Sequence, residues 1–146
     1  SNVNIANAFV IRARAEDCSI LTGDDVIAIA DSFYNGVPVA NLKHNAARFF
    51  LTKPYAYGEQ IAIQYLDNAL TLYGTEANFH HRAAANFWKS RAWEKMGRMN
   101  YALEAMQESV RLWTDQCLLD PNNKAFAENS GKARQRLHEL IAKQNA

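Results

Sequence analysis

Residues 60–73 and 100–113 of this chain can be laid over one another at a spacing of 40 without a gap. Small residues coincide at Ala62/Ala102 and Ala69/Ser109, and large apolar ones at Ile61/Tyr101, Ile63/Leu103, Leu66/Met106, Leu70/Val110 and Leu72/Leu112. An aromatic closes both stretches, Tyr73 in one and Trp113 in the other. Chance amphipathicity reproduces single matches, but not the joint placement of small and large positions. A repeat of this length marks an array of helical units, each with an apolar face that it covers by stacking on a neighbour. Subtracting the spacing once more lands on Val26, Ile29 and Ala30, which leaves room for a third, degenerate unit near the N-terminus.

The rest of the chain is consistent with helices and turns alone. Prolines occur only at 38, 54 and 121, and between them the apolar residues recur with helical spacing. Period-two alternation long enough for a sheet is absent. The spacing predicts helices near 3–15, 24–34, 38–52, 56–73, 76–96, 99–119 and 123–143, joined by connections short enough to make neighbours antiparallel. Pro38, after the turn pair Asn35-Gly36, suits a first helical turn. Gly74 and Gly97 fall where the chain must reverse, while Asp24-Asp25, Thr75-Glu76 and Asn122-Asn123 precede helices as N-terminal caps. The expectation is an all-α chain forming one domain, divided into an N-terminal helical pair (1–37), two repeats (38–74 and 75–121) and a capping helix (122–146).

Composition narrows the class of function. Sixteen basic and fifteen acidic residues give a formal net charge of +1, so no excess positive field gathers phosphates and nucleic acid is a poor partner. The apolar run at residues 5–11 is interrupted by Asn7 and is too short to cross a bilayer, and the arginines that follow it are on the wrong side for a secretory signal. Membrane insertion is therefore not expected. Two cysteines, Cys18 and Cys117, make neither a disulfide framework nor a metal knuckle, and read as free thiols of a reducing, cytoplasmic setting.

Residues 85–106 carry a family resemblance. Ala85 and Ala92 occupy small positions of a first helix, Ser90 the contact usually held by glycine, and Trp93 the aromatic. Gly97 makes the turn, Ala102 and Ser109 supply the small positions of a second helix, and Met106 its large one. This stretch resembles a tetratricopeptide repeat hairpin. Two features depart from that family: Asn86 and Lys89 stand where it has an aromatic and a leucine, and the period is 40 where 34 is usual. The resemblance implies a right-handed stack of antiparallel hairpins, with residues 122–146 as a cap. It also implies a concave groove lined by first helices: Ala84, Phe87, Arg91, Glu94 and Lys95 of one hairpin, and His44, Ala47 and Leu51 of the preceding one.

No residue set spells out a catalytic apparatus. His80 and His81 are adjacent, so on a helix their side chains diverge by about 100° and do not readily share a metal ion. His44 and His138 stand alone in helical segments, acidic neighbours make Cys18 a poor nucleophile, and Cys117 sits among core residues. Phosphate loop, nucleophile elbow and zincin helix are all missing. The expectation is a protein that is not an enzyme and uses no cofactor or metal.

Aromatic residues instead crowd the middle of the chain, and Trp, Tyr and Arg are the side chains that anchor protein interfaces. The sequence therefore points to an interaction module, an adaptor or scaffold, that binds a peptide or helix of another protein with Phe87 and Arg91 as anchors. The alternative is a regulatory or sensory helical domain that controls an attached output domain or self-associates. A short stack has an unpaired end face, which leaves room for a homodimer.

Overall fold

Helical spacing is realised over most of the described residues. The computed structural model describes residues 2–146 as α1 (Asn2–Ala13), α2 (Gly23–Ala30), α3 (Val37–Thr52), α4 (Gly58–Tyr73), α5 (Phe79–Lys95), α6 (Met99–Leu119) and α7 (Lys124–Gln144). Among the described residues there is no strand and no cis peptide bond. No helix among them is long and apolar enough to cross a membrane. The chain divides into two compact units, Ser1–Thr75 and Glu76–Ala146.

In the first unit α3 is central: α1, α2 and α4 all pack on it. Asn45 Nδ2 donates to Asn7 Oδ1 at 2.8 Å and Lys53 Nζ to the Ala15 carbonyl at 2.6 Å, both links joining residues 38 apart, so α1 and α3 run in the same direction. The start of α2 differs from the Asp24-Asp25 cap expected. Thr22 is the N-cap, its Oγ1 accepting from Asp25 N at 3.1 Å while Asp25 Oδ2 accepts from Thr22 N at 2.8 Å, a reciprocal capping box. α2 also stops at Ala30, and residues 31–34 form the turn towards Gly36.

Proline then sets the ends of α3. Pro38 sits in its first turn after Gly36. Pro54 holds Lys53 in the extended conformation (φ −96, ψ 141), because the residue before a proline is driven out of the helical region. α4 closes onto α3 through a glycine: a Cβ built on Gly58 would lie 2.8 Å from the Phe50 carbonyl oxygen, so only glycine lets the two backbones approach this closely. Above that contact Phe50 meets Phe49, Tyr55 and Tyr65 at ring-centroid distances of 5.1, 5.0 and 6.3 Å.

The second unit packs α5 on α6 and α6 on α7. Gly97 (φ +74) ends α5 in a Schellman motif, in which Gly97 N donates to Glu94 O and Arg98 N to Trp93 O, each at 2.9 Å. Asn123 caps α7, its Oδ1 accepting from Phe126 N at 3.0 Å. The expected Thr75-Glu76 cap of α5 is not used. That helix begins after Asn78, and a free amide of its first turn, His80 N, donates instead to Gln116 Oε1 of α6 at 3.2 Å.

The two stretches related by the spacing of 40 are the second helices of the two hairpins, α4 of α3–α4 and α6 of α5–α6. Their inward positions agree in burial. Ala62 and Ala102, Leu66 and Met106, and Ala69 and Ser109 are all fully buried, and Tyr73 and Trp113 are each 5% exposed.

Candidate functional site

α5 is the helix on which most of the expected partner-binding residues lie, and its small residues decide what it can touch. Ala83, Ala85, Ser90 and Ala92 are fully buried, and Ala83 and Ser90 lie where α6 approaches. Two hydroxyls tie the pair: Ser90 Oγ donates to the Ala102 carbonyl at 2.6 Å, and Ser109 Oγ to the Ala83 carbonyl at 2.7 Å. Each bond runs from one helix into the backbone of the other. Serine thus does at this interface what a bare glycine cannot, adding a directional link worth about 1 kcal/mol.

Outside that seam, Phe87 and Trp88 meet edge to face at 5.6 Å, and the Arg91 guanidinium lies 5.4 Å over the Trp88 ring. All three are half-buried. Ala84 and Phe87 pack against a core cluster that includes Met106 and Trp113 of α6 and Ala133 and Leu140 of α7. Lys95, at the last turn of α5, is exposed.

Glu94 has a different environment. Its side chain is 11% exposed, and α7 holds it through Arg136 Nη2 and through Lys143 Nζ at 2.6 Å. Burial alone would raise the Glu94 carboxyl, but hydrogen bonds from Lys143 and Arg136 and their charges outweigh it and keep the group below the usual carboxylate range. Glu94 is thereby taken up inside the unit.

His44, Ala47 and Leu51, the expected groove wall of the other hairpin, are all buried. The cause is the central place of α3, which three other helices cover. As the chain stands they offer no surface to a partner.

The polar residues that broke the family pattern mark a feature that sequence reasoning missed. Asn86, Lys89 and Trp93 of α5 and Tyr101, Glu104 and Glu108 of α6 line an open cleft of about 440 Å³. The Trp93 and Tyr101 rings lie 4.8 Å apart on its wall. The signal was present, since polar side chains stand at two positions where an apolar contact was due; Asn86 is nonetheless buried, its Nδ2 donating to the Arg82 carbonyl at 3.0 Å. A second cleft of about 300 Å³, in the first unit, is lined by Ile27, Asp31, Ile61, Gln64, Tyr65 and Asn68. Tyr65 donates its hydroxyl proton to Asp31 Oδ1 at 3.0 Å.

The two adjacent histidines do touch, contrary to the divergence expected of neighbours on a helix. Their ring centroids are 4.0 Å apart, and His80 also meets Phe126 at 5.2 Å. Burial, and then the charge of His80, lower the His81 imidazole. Among the described residues no three of His, Cys, Asp and Glu are grouped to hold a metal ion, and Cys18 and Cys117 are unpaired. No family model, no curated protein and no solved structure matches this chain.

Proposed function

We propose that this chain is a protein interaction module, an adaptor or scaffold, that takes a peptide or helix of another protein against α5. Phe87 and Arg91 are its anchors, with Ala84 and Lys95 beside them. The observation that carries the reading is the half-buried cluster of Phe87, Trp88 and Arg91. Aromatic and arginine side chains dominate the energetics of protein interfaces, and rings already held by neighbours lose little freedom when a partner arrives. The manner in which α7 is held supports the same reading: an amphipathic helix with Ala133 and Leu140 buried and basic side chains gripping Glu94 is helix recognition within one chain.

The reading is non-enzymatic and uses no cofactor or metal. Its setting is cytoplasmic, in keeping with two unpaired thiols. It includes the finer architecture, in which the hairpins continue into one right-handed tetratricopeptide-like stack. Small-angle X-ray scattering tests that part, because two units moving independently give a broader distance distribution than a single stack.

The binding claim is tested by capture. The chain is used to retain partners from its native lysate, alongside Arg91→Glu and the Phe87→Ala/Arg91→Glu pair. Loss of a hot-spot side chain costs about 2 kcal/mol or more, so each change is expected to weaken capture more than tenfold at unchanged helicity. Undiminished capture by the double variant removes this surface from consideration. A second copy of the chain as partner is tested by light scattering.

A further inference from the structure

The two clefts open on the same face of equivalent helices. Gln64 and Asn68 of α4 line the smaller one, and the residues 40 later, Glu104 and Glu108 of α6, line the larger. Ile61 and Tyr101 correspond in the same way. The opening therefore recurs with the repeat, while its chemistry does not. Neutral amides in the first unit give way to carboxylates in the second, and an isoleucine gives way to an aromatic ring. The one carboxylate of the smaller cleft, Asp31, is already taken by the Tyr65 hydroxyl at 3.0 Å.

In the larger cleft the carboxylates are only partly satisfied. Glu108 is engaged by Arg111 Nε at 3.0 Å, and Asp115 meets the same guanidinium at 3.3 Å. Glu104 is exposed and has no ion pair among the described residues. Glu104, Glu108 and Asp115 thus stand against two cations, Arg111 and the Lys89 of the cleft wall, which leaves an excess of one negative charge. The aromatic wall adds to it. The Trp93 and Tyr101 rings lie 4.8 Å apart and 35° from parallel, with Trp93 half-buried and Tyr101 54% exposed. The face of such a ring is the negative end of its quadrupole, and Tyr101 and Glu104, three residues apart on α6, are neighbours on that helix.

We infer that this cleft binds an organic cation, the alkylammonium or guanidinium group of a small amine or of a lysine or arginine side chain. The cation lies against the aromatic wall and pairs with the Glu104 carboxylate, two attractions that a neutral group of the same shape lacks. About 440 Å³ is room enough for the charged group and the carbon chain that carries it. Neither Phe87 nor Arg91 lines the cleft, so the site stands or falls apart from the partner surface proposed on α5.

The test uses the full chain and follows the Trp93 indole Nε1–H resonance, assigned with Trp93→Phe. The probes are agmatine, capped glycine–lysine–glycine and glycine–arginine–glycine tripeptides, and a neutral tripeptide with norleucine at the centre. The cations are expected to shift the resonance saturably, and the norleucine tripeptide is not. Binding of agmatine alone assigns the ligand to free amines, binding of the basic tripeptides alone assigns it to a partner's side chain, and binding of both assigns it to the charged group itself. Glu104→Gln removes the charge at nearly constant shape, and Tyr101→Leu removes an exposed ring. Each is expected to weaken binding about three- to fivefold at unchanged helicity. No saturable shift with any cation, an equal response to the norleucine tripeptide, or undiminished binding by both variants overturns the proposal.

Discussion

The hairpins α3–α4 and α5–α6 bury matching positions at a spacing of 40, yet they are fastened by different chemistry. In α5–α6 two serine hydroxyls reach across to backbone carbonyls, Ser90 to Ala102 and Ser109 to Ala83. The residues 40 earlier are Phe50 and Ala69, which have no hydroxyl to give. α3–α4 closes instead through a glycine under the Phe50 carbonyl and a cluster of rings, with Tyr73 donating its hydroxyl proton to Asn41 Oδ1 at 2.6 Å. Burial pattern is therefore the shared property of the two hairpins, and the means of close approach is not. A buried small position states only that backbones come near; the local side chains settle what fills the gap.

The largest expected effects test the shared property. Leu66→Ala and Met106→Ala each empty a fully buried site in the second helix of a hairpin, and each is expected to cost about 2–5 kcal/mol in denaturant unfolding. Similar losses support the equivalence, and a loss at one site less than half that at the other breaks it. Next comes Gly58→Ala, where the new methyl meets a backbone oxygen that cannot swing aside, at an expected cost of about 1–3 kcal/mol. Arg98, which stands 40 residues later at the start of α6, already carries an exposed side chain. Arg98→Ala is expected to stay within about 0.5 kcal/mol, so a large loss there would erase the contrast between the starts of α4 and α6.

The serine bridges come third. Ser90→Ala and Ser109→Ala are each expected to cost about 0.5–1.5 kcal/mol in unfolding. Equal stability of both variants would mean that the hydroxyls contribute nothing beyond filling space.

The smallest effect concerns α7, and it depends on pH. Glu94 is held below its unfolded value of about 4.3, so its contribution is complete above that value and is lost as pH falls through the lower folded one. Acidification below about pH 4 should therefore loosen α7 in the wild type, by under about 1 kcal/mol because Lys143 is 57% exposed. Glu94→Gln should remove that part of the acid dependence, as followed by hydrogen exchange of α7 amides. An unchanged acid profile in this variant would take the ion pair out of the account.

Elements whose cause lies within a few residues could be read directly. Pro54 stops α3, Gly97 reverses the chain after α5, and Asn123 caps α7. The departure at Asn86 and Lys89 was visible too, and the structure places an open cleft there. Caps assembled by competition were harder, because Thr22 outcompetes Asp24 as the cap of α2 only through its reciprocal bonds with Asp25. The His80 amide was beyond sequence reasoning altogether, since the oxygen that satisfies it belongs to Gln116.

The expected binding residues divide along the same line. Phe87 and Arg91 form part of one half-buried cluster on a single helix, as helical spacing requires. His44, Ala47 and Leu51 share a helix with the same kind of spacing but are buried, because α1, α2 and α4 all pack on α3. Glu94, expected in the lining of the groove, is instead held by Arg136 and Lys143 of α7.

By itself the sequence determined the seven helices, the turns between them and which face of each second helix turns inward. Periodicity and backbone sterics act over one or two turns of chain, so a string of residues contains all they need. Tertiary structure alone decided which faces are covered and which charges, such as Glu94, find partners. Those outcomes depend on side chains tens of residues away arriving at one place, and no local pattern encodes that meeting.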